Sequence, residues 1–266
     1  MSQSEQSPVF MFDNSDPEMQ RAYEAARRSF RYFWREIAWE RRRIIPALGL
    51  ACVKAPFTDD KRASSKKPEV EHMWIGEIDF DGETVHGELL NNPNWLTSVK
   101  AGDAAHIPLP HISDWMYSFG DEVYGAYSVN LMRSRMPANE LRGHDEAWGL
   151  NFGNPRQIRV VPPEYFKDSQ GTAGGVPEEH PMSINMAPSL ETQLAKSPQM
   201  VHETNDRGWT FLHHEALAGN YSTVKILLEF EADPNARTAE GRTPLGLARS
   251  LAWEKVAAIL IRAGAK

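Results

Sequence analysis

The chain has 266 residues, of which 41% are hydrophobic, and this length suffices for one large domain or two ordinary domains. Its single cysteine, Cys52, excludes an intramolecular disulfide and a cysteine-rich zinc site, and its net charge of −7 argues against nonspecific binding of DNA or RNA. The N-terminus lacks a signal-peptide pattern and no later stretch is apolar enough to span a membrane, so we expect a cytoplasmic protein.

The first predicted element is a long helix. Asp16 is a suitable N-cap, and Pro17 fits the first helical position. Eight arginines lie between Gln20 and Arg43, and most of them fall outside the apolar positions. This arginine-rich face is interpreted as a solvated surface, with binding of an anion or an acidic partner as the alternative. The apolar positions recur at helical spacing: Ala22, Ala26, Phe30, Phe33, Ile37 and Ala38.

After this helix the hydrophobic period changes to two, which predicts strands. The predicted strands cover residues 47–57, 70–80, 83–90, 104–110, 123–132 and 157–161. Residues 61–69 predict an exposed basic loop, Asp81–Gly82 a hairpin turn, and residues 112–119 a helical turn. The sequence therefore predicts an α+β domain over residues 16–166, in which the long helix packs on a mostly antiparallel sheet.

This region contains six short motifs in a fixed order: VK at 53–54, EHMWIGEI at 71–78, GELLNNP at 87–93, KAGD at 100–103, ISDWM at 112–116 and YGAYS at 124–128. Together they resemble the bacterial YegJ-like domain of unknown function. The resemblance covers roughly residues 17 to 163 and implies no activity, because none is established for that family.

Several polar residues of this domain could form a catalytic site, and adjacent strands could bring His72 and His86 together. No phosphate-binding glycine loop, serine elbow or metal-ligand spacing accompanies them. We interpret Glu71 and Asp114 as acceptors for backbone or tryptophan N–H groups, and Trp74 and Trp115 as core residues. The prediction is a protein that is not an enzyme and that binds no metal or cofactor. The residues considered are Glu71, His72, His86, Asp103, His106, His111 and Asp114.

Residues 167–189 are rich in glycine and proline, with prolines at 177, 181 and 188. This composition does not support a packed element and predicts a linker. Residues 190–266, in contrast, contain nine basic and nine acidic residues and show a clear internal repeat.

The repeat has a period of 33 residues, which separates Gly208 from Gly241 and Ala232 from Ala265. Its order of turn, helix, turn and helix resembles ankyrin repeats, and the sequence predicts one degenerate and two full repeats. Thr210 and Thr243 are positioned to cap the first helix of each pair. The resemblance implies an all-α array that binds partner proteins through its fingers and inner helices.

The sequence His213–His214–Glu215 could suggest a metal or acid–base site. Adjacent helical residues point about 100° apart, so the three side chains do not converge on one ion. In the ankyrin family a histidine at the position of His213 bonds to backbone in neighbouring turns. Glu215 departs from the small buried residue that is usual there, so either this helix is partly exposed or Glu215 has a partner.

Two classes of function remain open. A YegJ-like domain joined to ankyrin repeats resembles immunity proteins, which would neutralise a cognate antibacterial toxin of the type VI secretion kind, such as a basic nuclease. The alternative is an enzyme or small-ligand module in the YegJ-like domain, with the repeats docking a regulator. The acidic stretch 77–83 is a second candidate surface. The predicted partner-binding residues are Arg207, Trp209, His214, Glu215, Glu240 and Arg242.

Overall fold

The computed structural model describes residues 16–59, 70–166 and 175–266. They divide into two compact units. The first unit comprises the described residues of Met1–Phe33, Arg43–Phe80 and Thr84–Pro162. The second comprises Trp34–Arg42, Asp81–Glu83 and the described part of Pro163–Lys266. Three short segments of the predicted N-terminal domain, residues 34–42, 81–83 and 163–166, thus belong to the second unit, which the linear order of the sequence could not indicate.

The long helix α1 spans Pro17–Glu40, as the sequence predicts. The Asp16 carboxylate accepts a hydrogen bond from the Glu18 N–H at 2.8 Å, which confirms the predicted N-cap. Apolar side chains of α1 are buried at helical spacing, and Ala26, Phe30 and Phe33 are fully buried. These side chains form the surface by which the first turns of α1 pack in the first unit.

The first unit contains an antiparallel sheet with the strand order β4-β3-β2-β1-β5-β6 among the described residues. Its central strand β1 pairs with β2 on one side and with β5 on the other. This arrangement confirms the predicted α+β fold class. The strands are β1 Leu48–Phe57, β2 Glu71–Phe80, β3 Thr84–Leu89, β4 Ala104–Pro108, β5 Asp114–Phe119 and β6 Glu122–Gly125.

The two faces of this sheet are covered by different elements. On one face the Trp115 ring packs beside Phe33, and its N–H donates to the Ala26 carbonyl of α1 at 2.8 Å. Neighbouring residues along a strand point to opposite faces. Cys52 and Met116 therefore belong to the other face, where helices α2 (Tyr127–Arg133) and α3 (Ala138–Trp148) lie.

Three sequence predictions in this unit are wrong. Residues 112–119 do not form a helical turn, because most of them belong to β5, a strand buried on both faces whose apolar run has no clear period. The predicted strand 123–132 ends at Gly125, where Gly125 and Ala126 adopt left-handed conformations (φ 76° and 56°) and turn the chain into α2. Residues 157–161 form no strand, and the predicted basic loop lies outside the described residues.

The second unit contains the predicted helical pairs. Thr210 and Thr243 accept hydrogen bonds from the backbone N–H groups of His213 and Gly246, as expected of N-caps. Gly219 ends α5 with φ 74°. Its helices are α4 Pro181–Lys196, α5 Phe211–Ala218, α6 Tyr221–Glu229, α7 Pro244–Ser250 and α8 Glu254–Arg262, and a 3-10 turn spans Pro198–His202.

Helix α4 begins inside the predicted linker. Its first half, from Pro181 to about Pro188, occupies residues for which the sequence indicated no packed element. Pro181 stands in the first turn, where proline needs no N–H partner, and the His180 ring accepts from the Met182 N–H at 3.0 Å. The linker prediction is therefore wrong for residues 181–189, and residues 167–174 lie outside the described part of the chain.

Candidate functional site

The fingers of the repeat array present three of the six predicted contact residues at the surface. Arg207 and Glu240 stand on successive fingers, and their side chains are 46% and 41% exposed. They face each other at 3.3 Å. His214 is exposed on α5. These three side chains, which we call the finger surface, are available to a partner.

Trp209 supports the finger surface from below. Its side chain is only 5% exposed, and its ring lies 5.0 Å from the His214 ring and 5.9 Å from the His213 ring. The Arg207 guanidinium lies 6.0 Å from the same indole. Trp209 therefore holds its exposed neighbours in place, and offers little surface of its own.

Glu215 is fully buried and has partners inside the second unit. It forms an ion pair with Arg42 and accepts a hydrogen bond from the Asn220 amide at 2.8 Å. Asn220 in turn accepts from the Trp39 indole N–H at 3.1 Å. Of the two explanations that the sequence left open for Glu215, the structure shows the second, a partner. A side chain that is buried and paired in this way is not positioned to contact another protein.

Arg242 is also engaged within the second unit. Its guanidinium bonds to Asp81 at 3.0 Å and lies 3.3 Å from the Glu83 carboxylate. The turn between these two acidic residues also lies close to α7, because a Cβ placed on Gly82, which has φ 99°, would lie 2.5 Å from the Leu247 side chain. Asp81 and Glu83 belong to the acidic stretch 77–83, so this end of the second candidate surface is already occupied. Glu77 of the same stretch is exposed.

His213 has the structural role that the sequence predicted. Its ring completes a capping box with Thr210, and its Nε2 lies 3.1 Å from the Ala236 carbonyl and 3.2 Å from the Arg242 carbonyl. These bonds tie α5 to the next finger. Burial lowers the pKa of His213, while the two carbonyls oppose that change.

A second buried polar network shows that the prediction of a solvated arginine face is wrong at Arg35, whereas Arg28 of that face is exposed as predicted. Arg35 is fully buried and donates to the Pro177 carbonyl at 2.6 Å. Its neighbour Glu36 accepts from the Tyr165 hydroxyl at 3.0 Å and lies 3.4 Å from His180. Burial alone would raise the pKa of Glu36, but His180, Arg35 and Tyr165 hold it below its usual value. The helical spacing of the apolar residues placed Arg35 on the solvated face. This prediction failed because the last turns of α1 are buried on nearly all sides.

Two buried carboxylates of the first unit accept hydrogen bonds from backbone N–H groups, as the sequence predicted. Glu71 accepts from the N–H groups of Asn94 and Trp95 at 2.8–3.2 Å. Asp114 accepts from the backbone N–H groups of Trp115, Tyr127 and Ser128, and from the Ser128 hydroxyl, at 2.6–2.9 Å. Burial raises the pKa of Asp114, and these hydrogen bonds oppose the rise. Both groups act as structural acceptors.

The histidines of the sheet do not meet as expected. His86 pairs with His106 across β3 and β4, with their Nδ1 atoms 2.7 Å apart, and not with His72. His72 bonds instead to the Ser113 hydroxyl at 2.9 Å and stacks on Tyr23. Within residues 16–59, 70–166 and 175–266, no three histidine, cysteine, aspartate or glutamate residues are grouped to hold a metal ion.

A lysine that the sequence did not single out lies at the centre of the sheet. Lys54 pairs in register with Trp74 on β2 and with Asp114 on β5, so the three side chains share one face. Lys54 is half-buried, and its ammonium lies 5.2 Å from the centre of the Trp74 ring. Burial lowers its pKa, and the Asp114 charge acts in the opposite direction. Lys54, Trp74 and Asp114 lie in three separate sequence motifs, and the register of the strands brings them together.

Helix α4 also exposes apolar side chains that sequence reasoning missed. Met182, Ile184 and Met186 are 39%, 47% and 47% exposed, although Leu190 and Leu194 of the same helix are buried. The sequence did not predict this exposed apolar group, because the three residues lie in a segment that was interpreted as a linker. Adjacent exposed apolar groups are frequent at surfaces that bind other proteins.

The protein has two parts, an α+β unit built on an antiparallel sheet and a unit of paired helices that form an ankyrin array. Ankyrin arrays are protein-interaction modules. Comparison with protein families agrees. Residues 16–152 match the family described as an uncharacterized protein conserved in bacteria (DUF2314), and residues 184–266 match ankyrin repeats. The chain belongs to the DUF2314 family. No helix in its described part has the length and apolar character that crossing a membrane requires.

Named relatives share this organisation in whole or in part. The chain is 41% identical to a putative ankyrin repeat protein of Neisseria meningitidis serogroup B, over 96% of its own length and 97% of the relative. It is 36% identical to the uncharacterized protein YegJ of Escherichia coli, over 34% of this chain and 56% of YegJ. It is 41% identical to the putative ankyrin repeat protein YahD of E. coli, over 27% and 38% of the two chains.

Proposed function

We propose that this protein works by binding another protein at the finger surface, without catalysis. The observation that carries the proposal is the exposure of Arg207, His214 and Glu240 on two successive fingers and on helix α5, beside the buried Trp209 ring. The internal pairing of Glu215 and Arg242 confines the proposed contact to a smaller area than the sequence suggested.

The partner that we propose is a secreted antibacterial toxin, which the chain would neutralise as an immunity protein. This finer form rests on the expectation, drawn from the sequence, that this domain combination is similar to immunity proteins. The net charge of −7 favours the approach of a basic partner, because opposite charge accelerates the encounter of two proteins. This acidic excess lies outside residues 190–266, whose nine basic and nine acidic residues balance. A type VI secretion effector with nuclease activity fits this description.

The proposal is tested by co-expressing the chain with the protein encoded beside it and measuring cell survival. We expect survival only when the chain is present, and loss of rescue when Arg207, His214 and Glu240 are all changed to alanine. Lys225→Ala is the matched control, because Lys225 is equally exposed but lies on α6, away from the fingers. A harmless neighbour, or full rescue by the triple variant, would overturn the proposal.

A further inference from the structure

Two histidine rings meet on the hairpin that β3 and β4 form. His86 and His106 lie opposite each other on these strands, although they are 20 residues apart in sequence. The Leu89 N–H donates to the Asp103 carbonyl at 3.0 Å, which makes these two residues a hydrogen-bonded pair of the same ladder. Because such pairs alternate along antiparallel strands, His86 and His106 form a non-hydrogen-bonded pair, in which the side chains stand closest.

The two rings face each other through the same ring atom. Their Nδ1 atoms are 2.7 Å apart, and the ring planes cross at 67°. One Nδ1 donates in this bond and the other accepts. If the donating ring carries its proton on Nε2 instead, two lone pairs converge on one point, with no net gain or loss of protons. His106 is exposed and His86 is partly exposed, so an ion reaches this point from solvent and needs no cavity.

We propose that His86 and His106 together bind one divalent transition-metal ion, with Cu²⁺ preferred. Imidazole nitrogen is a ligand for copper, nickel and zinc, and copper binds most tightly in this series. An ion bonded to both nitrogens at about 2.05 Å holds them about 2.9 Å apart at a right angle and about 3.3 Å apart at the tetrahedral angle. The observed 2.7 Å is closer to the first value, so square-planar Cu²⁺ requires less movement of the strands than tetrahedral Zn²⁺.

The surroundings fix what kind of site this is. The part of the chain that the structure describes contains no group of three histidine, cysteine, aspartate or glutamate residues that could enclose a metal ion. The pair supplies two ligands, and water completes the coordination of an ion that is held at the surface and exchanges. Asp79 pairs in register with His86 on β2, so its charge lies on the same face and favours a cation. The site is independent of the finger surface, and either proposal can fail without the other.

The test is calorimetric titration of the full, untagged chain with CuCl₂, NiCl₂ and ZnCl₂, in a buffer that does not coordinate metal. We expect one Cu²⁺ per chain with a dissociation constant of about 10 µM or tighter, and Zn²⁺ at least about tenfold weaker. Electron paramagnetic resonance of the Cu²⁺ complex should show a tetragonal ion coupled to two imidazole nitrogens. Absence of saturable Cu²⁺ binding, tighter binding of Zn²⁺, or a spectrum without two coupled nitrogens would overturn the proposal.

His106→Gln provides a second test, because glutamine keeps a polar side chain on the strand and removes the ligand nitrogen. We expect the Cu²⁺ affinity to fall at least about tenfold and the spectrum to lose one coupled nitrogen. His202→Gln is the matched control, because His202 is also exposed but lies on the 3-10 turn of the second unit, and it should change neither. Unchanged Cu²⁺ affinity in His106→Gln would contradict the site. If that variant does not fold, the number of coupled nitrogens in the unaltered chain still decides.

Discussion

Two fully buried carboxylates show how differently the two units satisfy buried charge. Asp114 in the sheet unit bonds to backbone N–H groups no more than 14 residues away. Glu215 in the repeat unit pairs with Arg42, 173 residues away in sequence. A carboxylate that accepts hydrogen bonds from nearby backbone N–H groups depends mainly on local chain geometry. An ion pair such as Glu215 with Arg42 requires two distant side chains that must both be present.

The largest effect is expected from Asp114→Ala. This change leaves three buried N–H groups at the end of β5 and the start of α2 without their acceptor, and each costs about 1–3 kcal/mol. We expect a loss of about 4 kcal/mol in the free energy of unfolding, measured by urea denaturation. Asp114→Asn keeps one acceptor oxygen and should lose about half as much. A loss below about 1 kcal/mol in Asp114→Ala would show that the carboxylate does not hold this turn.

Arg42→Met should have the next largest effect. It leaves the Glu215 carboxylate buried with Asn220 as its remaining polar partner, and breaking such a pair costs about 3 kcal/mol. Glu215→Gln in the same background removes the unpaired charge and should recover part of the loss. The measurement is thermal and urea unfolding of the single and double variants. Equal stability of Arg42→Met and the unaltered chain would contradict the internal role of Glu215.

A smaller effect is expected from pH through His72. Its folded-state pKa of about 4 lies below the unfolded value of 6.5, so the unfolded chain takes up the proton first as pH falls. Its contribution is complete above pH 6.5 and is lost between pH 6.5 and 4. Because the ring is half-buried, we expect a loss of about 2 kcal/mol relative to His72→Gln. The prediction would be refuted if the free energies of unfolding of the unaltered chain and of His72→Gln changed in parallel between pH 6.5 and 4.

Glu240→Ala should have the smallest effect on folding, because its exposed pair with Arg207 is solvated. We expect no measurable change in melting temperature, together with weaker partner binding. The contrast with Arg42→Met separates a residue that binds a partner from one that stabilises the fold. A lower melting temperature in Glu240→Ala would place it in the second class.

The sequence predicted those features that depend on neighbouring residues. The cap at Asp16, the turn at Asp81–Gly82 and the ring bonds of His213 all follow from local patterns. It failed where distant segments meet. Arg42 with Glu215 and Lys54 with Trp74 are brought together by packing and strand register, which no local period encodes.

Calorimetric titration of the purified chain with the protein encoded beside it tests the central claim most directly. The account predicts a tight one-to-one complex, weakened at least about tenfold when Arg207, His214 and Glu240 are replaced by alanine, with the melting temperature unchanged. The Lys225→Ala control should bind as the unaltered chain does. Absence of a complex, or equal affinity of the triple variant, would contradict binding at the finger surface.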